Sequence, residues 1–199
     1  NGKREIPALL FRNLSPIEND SFFPKTGKIR IIYAGLLGVA QDVLSICKNL
    51  DFEALNTELH IYGDGNQKNE IIKLDKKGVV YHEPVSKKEI QRLMANYDFS
   101  LIPLRTYIFG AFPSKITAAI ASAIPVLFLG EGEGAKVVSE LNIGKSLKFD
   151  EFDSLSNYLI SYSENSLLIY VSDALVMELT SNGLIFTSRA SDSLLASAF

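Results

Sequence analysis

Hydrophobic residues in this chain fall into short unbroken runs separated by stretches of helical period. Ile29 to Ala34, Glu58 to Tyr62, Val79 to His82, Phe99 to Ile102, Pro125 to Leu129 and Lys145 to Phe149 read as strands. Their near-continuous apolar character is that of strands covered on both faces. Between them, residues 40–50, 67–74, 86–96, 113–124 and 135–141 read as helices, with Val43, Leu44, Cys47 and Leu50 marking the buried face of the first. Ser86-x-x-Glu89 caps the third of these. Strict βα alternation predicts an α/β fold, a doubly wound parallel sheet of about six strands with right-handed crossovers.

Beyond Asp150 the period becomes helical throughout. Leu155, Tyr158, Leu159 and Tyr162 fit one helix, Leu168, Val171, Leu175, Val176 and Leu179 a second, and residues 184–199 a third. Residues 1–28 show no sustained period and are rich in Asn, Ser, Pro and Lys. The expected organisation is therefore a lead-in segment at 1–28, a Rossmann-like domain at 29–150, and C-terminal helices at 151–199 packed on that domain.

In an open parallel sheet, ligands bind outside the carboxyl ends of the strands. The loops expected there are GLLG, GDG, HEPVS, PLRTYIFGAFPSK and GEGEG. The fourth leads into the densest stretch, FGAFPSKITAAIASAIPV, from Phe109 to Val126. Pro113 suits the first turn of a helix. Ser114 and Lys115 then place a hydroxyl and an ammonium beside free backbone N–H groups, a setting for an anion. Arg105, Tyr107 and Phe109 add a second cation and aromatic surface, a mixture suited to a nucleoside diphosphate.

Plainer readings stand beside these. Pro-Ser-Lys at a helix start is common capping chemistry. Gly35 to Gly38 lacks the third glycine of a dinucleotide fingerprint, and Gly63-Asp64-Gly65 is a common turn. His60, within a strand, reads as structural; His82 reads as structural or functional with equal ease. Glu131 and Glu133 would repel phosphate unless they bind hydroxyls. The sequence shows no metal-ligand spacing and no nucleophile–base pair, so no catalytic residue and no metal are assigned.

Composition narrows the field. The 199 residues are 47% hydrophobic and 22% charged, with a net charge of −3. That fits one compact core and argues against nucleic acid as a main partner. No apolar run reaches the roughly 18 residues that span a bilayer. Cys47 is the one cysteine, so no internal disulfide forms and a reducing, cytoplasmic setting is expected.

Taken in order, IRIIYAGLLGVAQDVLSI, LHIYGDG, VVYHEPVSKKEIQRLMANYDFSLIPL, FPSKITAAIASAIPVL and GEGEGAKVVSELNIG resemble the C-terminal domain of GT-B glycosyltransferases. The similarity is to family 4, of the bacterial capsule and O-antigen type, over about residues 29–150. The later helices and the linker at Arg12-Asn13 also fit. The resemblance implies the donor half of a retaining, metal-independent transferase with no cofactor, its substrate a UDP- or GDP-linked sugar. It implies donor phosphate and sugar binding by Gly35, Leu36, Leu37, Gly38, Arg105, Ser114, Lys115, Gly132, Glu133 and Gly134. It implies base and ribose contacts from Gly63, His82, Glu83, Pro84, Pro103, Leu104 and Ala118.

There are departures from the family pattern. Two glutamates usual in the family read here as Gly110 and Ala118, its usual Arg and Lys after strand one as Leu36 and Gln41, and one of its glycines as Ala123. Each charged hydrogen bond so lost is worth about 1.5–3 kcal/mol. Two readings follow: a donor domain in which Arg105 and Lys115 compensate, or a degenerate binding or docking module of the same fold. A dinucleotide oxidoreductase using Asp64 is the third, disfavoured by the glycine pattern. In the first, an N-terminal acceptor domain is missing, a saccharide or lipid-linked saccharide is the acceptor, and the fragment alone is inactive. Any contact with the inner membrane would then run through the missing domain.

Overall fold

A computed structural model describes residues 27–106, 114–169, 175–180 and 183–188, with side chains described up to Ser163. The lead-in at 1–26, with Arg12 and Asn13, and the loop residues Tyr107, Phe109, Gly110 and Pro113 lie outside the described residues.

Strands β1 (Ile29–Ala34), β2 (Thr57–Tyr62), β3 (Val79–His82), β4 (Phe99–Leu104), β5 (Val126–Gly130) and β6 (Gly144–Leu147) form one all-parallel sheet in the order β3-β2-β1-β4-β5-β6. Helices α1 (Val43–Asn49), α2 (Lys68–Lys73), α3 (Lys87–Met94), α4 (Ser114–Ala121) and α5 (Glu133–Glu140) connect them, and α6 (Phe152–Ile169) follows β6. This is the doubly wound arrangement expected. Its order reverses between β1 and β4, the position where such sheets open a crevice.

Alternate side chains of each strand serve opposite faces. Ile31, Tyr33, Phe99, Leu101, Leu127 and Leu129 join α1, α2 and α6 in one buried cluster. Ile32, Tyr62, Ile102, Val126 and Phe128 join Met94 of α3, Ile116 and Ala119 of α4 and Val138 of α5 in the other. The small side chains of α4 let it lie close on the sheet. That helix ends in a left-handed residue, Ala123 (φ 52), and the Ile124 amide reaches back to the Ala119 carbonyl at 3.1 Å.

The ends of β1 and β2 run almost in contact. The Gly35 amide donates to the Tyr62 carbonyl at 2.9 Å and the Leu37 amide to the Asp64 carbonyl at 2.8 Å. A Cβ on Gly63 would lie 1.9 Å from the Gly35 carbonyl oxygen, so only glycine fits that approach.

The C-terminal end corrects the helical expectation. Helix α6 contains Leu155, Tyr158, Leu159 and Tyr162 as read, but residues 175–180 and 183–188, expected in helices, are strands, and the rest of those expected helices beyond Ile169 lies outside the described residues. Strands β7 (Leu175–Thr180) and β8 (Gly183–Ser188) pair there as an antiparallel hairpin, Thr180 opposite Gly183. The competing signal is Ser181-Asn182-Gly183, a turn sequence joining two runs with β-branched and aromatic residues.

Candidate functional site

Lys115 is the second residue of α4, and its side chain turns back over the sheet rather than out to water. Its Nζ lies 4.4 Å from the centre of the Tyr33 ring and 3.4 Å from Tyr33 Oη. Tyr33 in turn donates to the Leu36 carbonyl at 2.5 Å, which fixes the phenol beneath the β1–α1 loop. Gly35 makes room for the ammonium: a Cβ there would sit 2.4 Å from Nζ, and its φ of 150° also favours glycine. Among the described residues no carboxylate pairs with Lys115. Burial without a counter-charge pulls its pKa down to about 8.

The ammonium opens into a cleft of about 740 Å³ beyond the ends of β1, β2 and β3, walled by α3 and α4. Gly35, Leu36, Ser114 and Lys115 line one end. Pro84, Val85, Ile90 and Met94 form an apolar wall, with Gly63 and Ala118 between. Asp64 and Lys87 also line it and are exposed. A cleft of this size with an apolar wall and few polar groups suits an organic ligand. One end offers a cation and a helix start to an anion; the other offers a surface for a flat ring.

The structure thus brings Gly35, Leu36, Gly63, Pro84, Ser114, Lys115 and Ala118 together in one cleft. It places the other sequence candidates elsewhere. Leu37 is fully buried, its carbonyl accepting from the Gln67 amide at 3.1 Å. Gly38 turns the chain into α1, its carbonyl accepting from the Asp42 amide at 2.9 Å. His82 stacks on Tyr62 (4.3 Å, 5°) and shares a 2.9 Å ring-nitrogen hydrogen bond with His60. Burial and the Arg30 charge hold both imidazoles below their usual pKa. Glu83 pairs with Lys68 at 3.1 Å. Pro103 is buried in β4, and Leu104 packs against the cluster under α3, α4 and α5 without lining the cleft. Gly132 and Glu133 start α5 and are exposed, while Gly134 is buried in its first turn.

Arg105 is the clearest separation. It lies only ten positions before Lys115, yet its guanidinium turns to the α1 side and pairs with Asp42. Asp42 caps α1, accepting from Ser45 Oγ at 2.6 Å and from Gln67 Nε2 at 2.8 Å. Burial raises the carboxyl pKa, but the hydrogen bonds from Ser45, Gln67 and Arg105 outweigh it and leave the group below the usual range. Arg105 is therefore held by the Asp42 carboxylate, whereas Lys115 meets Tyr33.

Tyr33, Asp42, Ile90 and Met94 escaped the sequence reading, whereas Val85 belongs to the loop from His82 that the resemblance sets beside the base. Tyr33 lies in a strand and looks like core, Asp42 looks like an ordinary cap, and the two apolar residues look like helix packing. Among the described residues no helix is long and apolar enough to cross a membrane. Also among them, no three His, Cys, Asp or Glu residues cluster as a metal site.

Comparison with solved structures returns glycosyltransferases of the same architecture. The apo form of the lipopolysaccharide outer core galactosyltransferase WaaB superposes with a TM-score of 0.56 at 16% identity, over 77% of this chain and 46% of that one. HepE from Anabaena, solved with UDP and glucose, gives 0.56 at 15% identity, over 71% and 40%. The C-terminal domain of a group 1 family protein (LpcC) from Francisella tularensis gives 0.52 at 16% identity, over 71% and 78%. At these identities the likeness establishes the fold. The chain spans less than half the length of the first two. No curated protein matches the sequence. The family model for glycosyl transferases group 1 matches residues 28–154, the whole sheet with its loops. The chain belongs to the glycosyl transferases group 1 family.

Proposed function

We propose that this chain is the donor-binding domain of a retaining GT-B glycosyltransferase of the family 4 type, acting in bacterial surface-polysaccharide synthesis. The observation that carries the reading is Lys115: an ammonium withdrawn from water, without a counter-charge among the described residues, at the end of a cleft beside the β1–β4 reversal. A nucleoside diphosphate supplies the missing charge. Its diphosphate would lie against Lys115, Ser114 and the α4 amides, and its base against Pro84, Val85, Ile90 and Met94. As the glycosidic bond of a sugar donor breaks, negative charge grows on the leaving diphosphate, and a fixed ammonium there stabilises it. No metal or cofactor enters this account. Transfer itself falls to a second, acceptor-binding domain that takes a saccharide or lipid-linked saccharide, so the chain alone binds donor without transferring sugar. The lipopolysaccharide role of WaaB suits a polysaccharide context, and the cytoplasmic side of the inner membrane is where such donors are available.

The Arg105–Asp42 pair favours a second reading. With Arg105 engaged and Ala118 in the cleft wall, the described residues offer one largely buried cation and no carboxylate beside α4, which fits a module that has lost donor affinity and serves docking. Calorimetric titration with UDP, GDP and ADP, with and without magnesium, separates the two. Metal-independent binding of one nucleotide, weakened at least about tenfold by Lys115→Ala, supports the donor domain. No binding of any at millimolar concentration refutes a self-sufficient donor site.

A further inference from the structure

A second cleft, of about 550 Å³, opens on the opposite side of the sheet, over the ends of β4 and β5 and the turn after β6, between α1 and α6. Nothing in the nucleotide reading uses it. Its apolar surface is Leu104 with two rings, Phe149 and Phe152, packed edge to face at 6.1 Å. Around that surface stand two cations, Arg105 and Lys148, and two carboxylates, Glu131 and Asp150.

The polar groups have capacity to spare. Among the described residues, the side chains of Glu131, Lys148 and Asp150 make no hydrogen bond or ion pair. Arg105 commits Nη1 to Asp42, and its guanidinium lies 5.8 Å from the centre of the Phe149 ring, leaving its other N–H groups. Asn49, on the same wall, spends one amide hydrogen on the Ser45 carbonyl at 2.8 Å and keeps its oxygen.

The charge pattern selects the ligand. A phosphate would meet Arg105 and Lys148 but also two carboxylates. A polyamine would meet the reverse conflict. A purely apolar ligand would strip water from four charges, at a cost its burial does not repay. A neutral molecule with many hydroxyls satisfies both signs at once, because each hydroxyl both donates and accepts. If one of its faces carries only C–H groups, that face covers the phenyl ring. We propose that this cleft is a carbohydrate-binding site for a neutral sugar residue, seated on Phe149 and hydrogen-bonded by Arg105, Glu131, Asn49 and Asp150. The volume holds one or two sugar rings. The site is separate from the nucleotide cleft and does not depend on that assignment.

The test uses the 199-residue chain, isotopically labelled. Methyl glycosides of glucose, galactose, mannose and N-acetylglucosamine, with maltose, are titrated by two-dimensional NMR, and inorganic phosphate and spermidine serve as charged probes. The expected result is saturable millimolar binding of at least one neutral glycoside, shifting the Asn49 side-chain amide and Arg105 Nε–H, unaffected by added UDP. Phe149→Tyr keeps the ring and should bind within about threefold, while Phe149→Leu and Glu131→Gln should each weaken binding about tenfold. Folding of each variant is read from the same spectra. The proposal is overturned if no neutral glycoside saturates below about 50 mM, if phosphate or spermidine is the ligand that shifts these signals, or if folded Phe149→Leu binds as tightly as the parent.

Discussion

Replacing Lys115 with methionine should stabilise the fold while removing anion binding. Burial brings the Lys115 pKa from 10.5 down to about 8. The unfolded chain therefore holds this proton up to about pH 10, and the folded chain releases it near pH 8. Between those values the unfolded state binds more protons, so stability rises with pH across that window. Below pH 8 the ammonium is charged in both states, and its burial costs up to about 3 kcal/mol. Methionine has a similar unbranched shape and no charge, so Lys115→Met should recover part of that cost at pH 7. A gain of even 1 kcal/mol raises the melting temperature of a chain this size by about 2–4 °C. The variant should also lose the rise in stability between pH 8 and 10. Urea melts at pH 7, 8, 9 and 10 on parent and variant read both effects, and calorimetry with a nucleoside diphosphate reads the lost binding. A variant less stable than the parent at pH 7, with an unchanged pH slope, would refute the reasoning: the ammonium would then be solvated and the cleft open to water.

Nucleotide binding itself should weaken about tenfold between pH 7 and 9 as Lys115 loses its proton, and Lys115→Arg, which never deprotonates in this range, should flatten that profile in calorimetry. Gly63→Ala should destabilise by about 1–3 kcal/mol, because its Cβ would strike the Gly35 carbonyl; a urea midpoint matching the parent's would contradict the close approach. At the end of α4, Ala123→Gly should stabilise by about 1 kcal/mol by relieving a left-handed alanine, visible as a higher melting temperature. Asp42→Ala removes a helix cap and the partner of Arg105 and should cost about 2–4 kcal/mol at pH 7. Because the folded carboxyl titrates below its usual range, the stability it adds is present above the unfolded pKa near 4 and is lost as pH falls through the folded value. Parent and variant should therefore converge in melts at low pH.

The sheet was legible because each strand is a short apolar run that only a covered strand explains. β1 and β3 match their predicted spans, and the other strands shift by a few residues. The hairpin of β7 and β8 was not, since Leu168, Val171, Leu175, Val176 and Leu179 fit a helical stripe as well as a strand, and only Asn182-Gly183 argued for a turn. At the site, reading the loops after the strands found Gly35, Gly63, Pro84, Ser114 and Lys115. What the loops could not show was how their side chains divide. Arg105 and Lys115 share one connection, but Arg105 is claimed by Asp42, 63 positions earlier, and Lys115 by Tyr33, 82 positions earlier. Such contacts depend on the order of the strands, which local pattern does not encode.

That division sets the energetics of the cleft. Asp42 holds Arg105, and the cleft carries one largely buried ammonium with no carboxylate partner among the described residues. An unpaired buried charge interacts with an arriving anion more strongly than a hydrated one, because the low-dielectric surroundings weaken screening and the desolvation has already occurred. The same ammonium makes the empty protein less stable than an apolar residue at 115 would. A docking module without a ligand in this cleft would keep that cost with nothing to offset it, whereas a diphosphate restores the missing counter-charge. The opposition between stability and binding at one residue is thus the physical ground for preferring a working anion site, and Lys115→Met reads both sides of it at once.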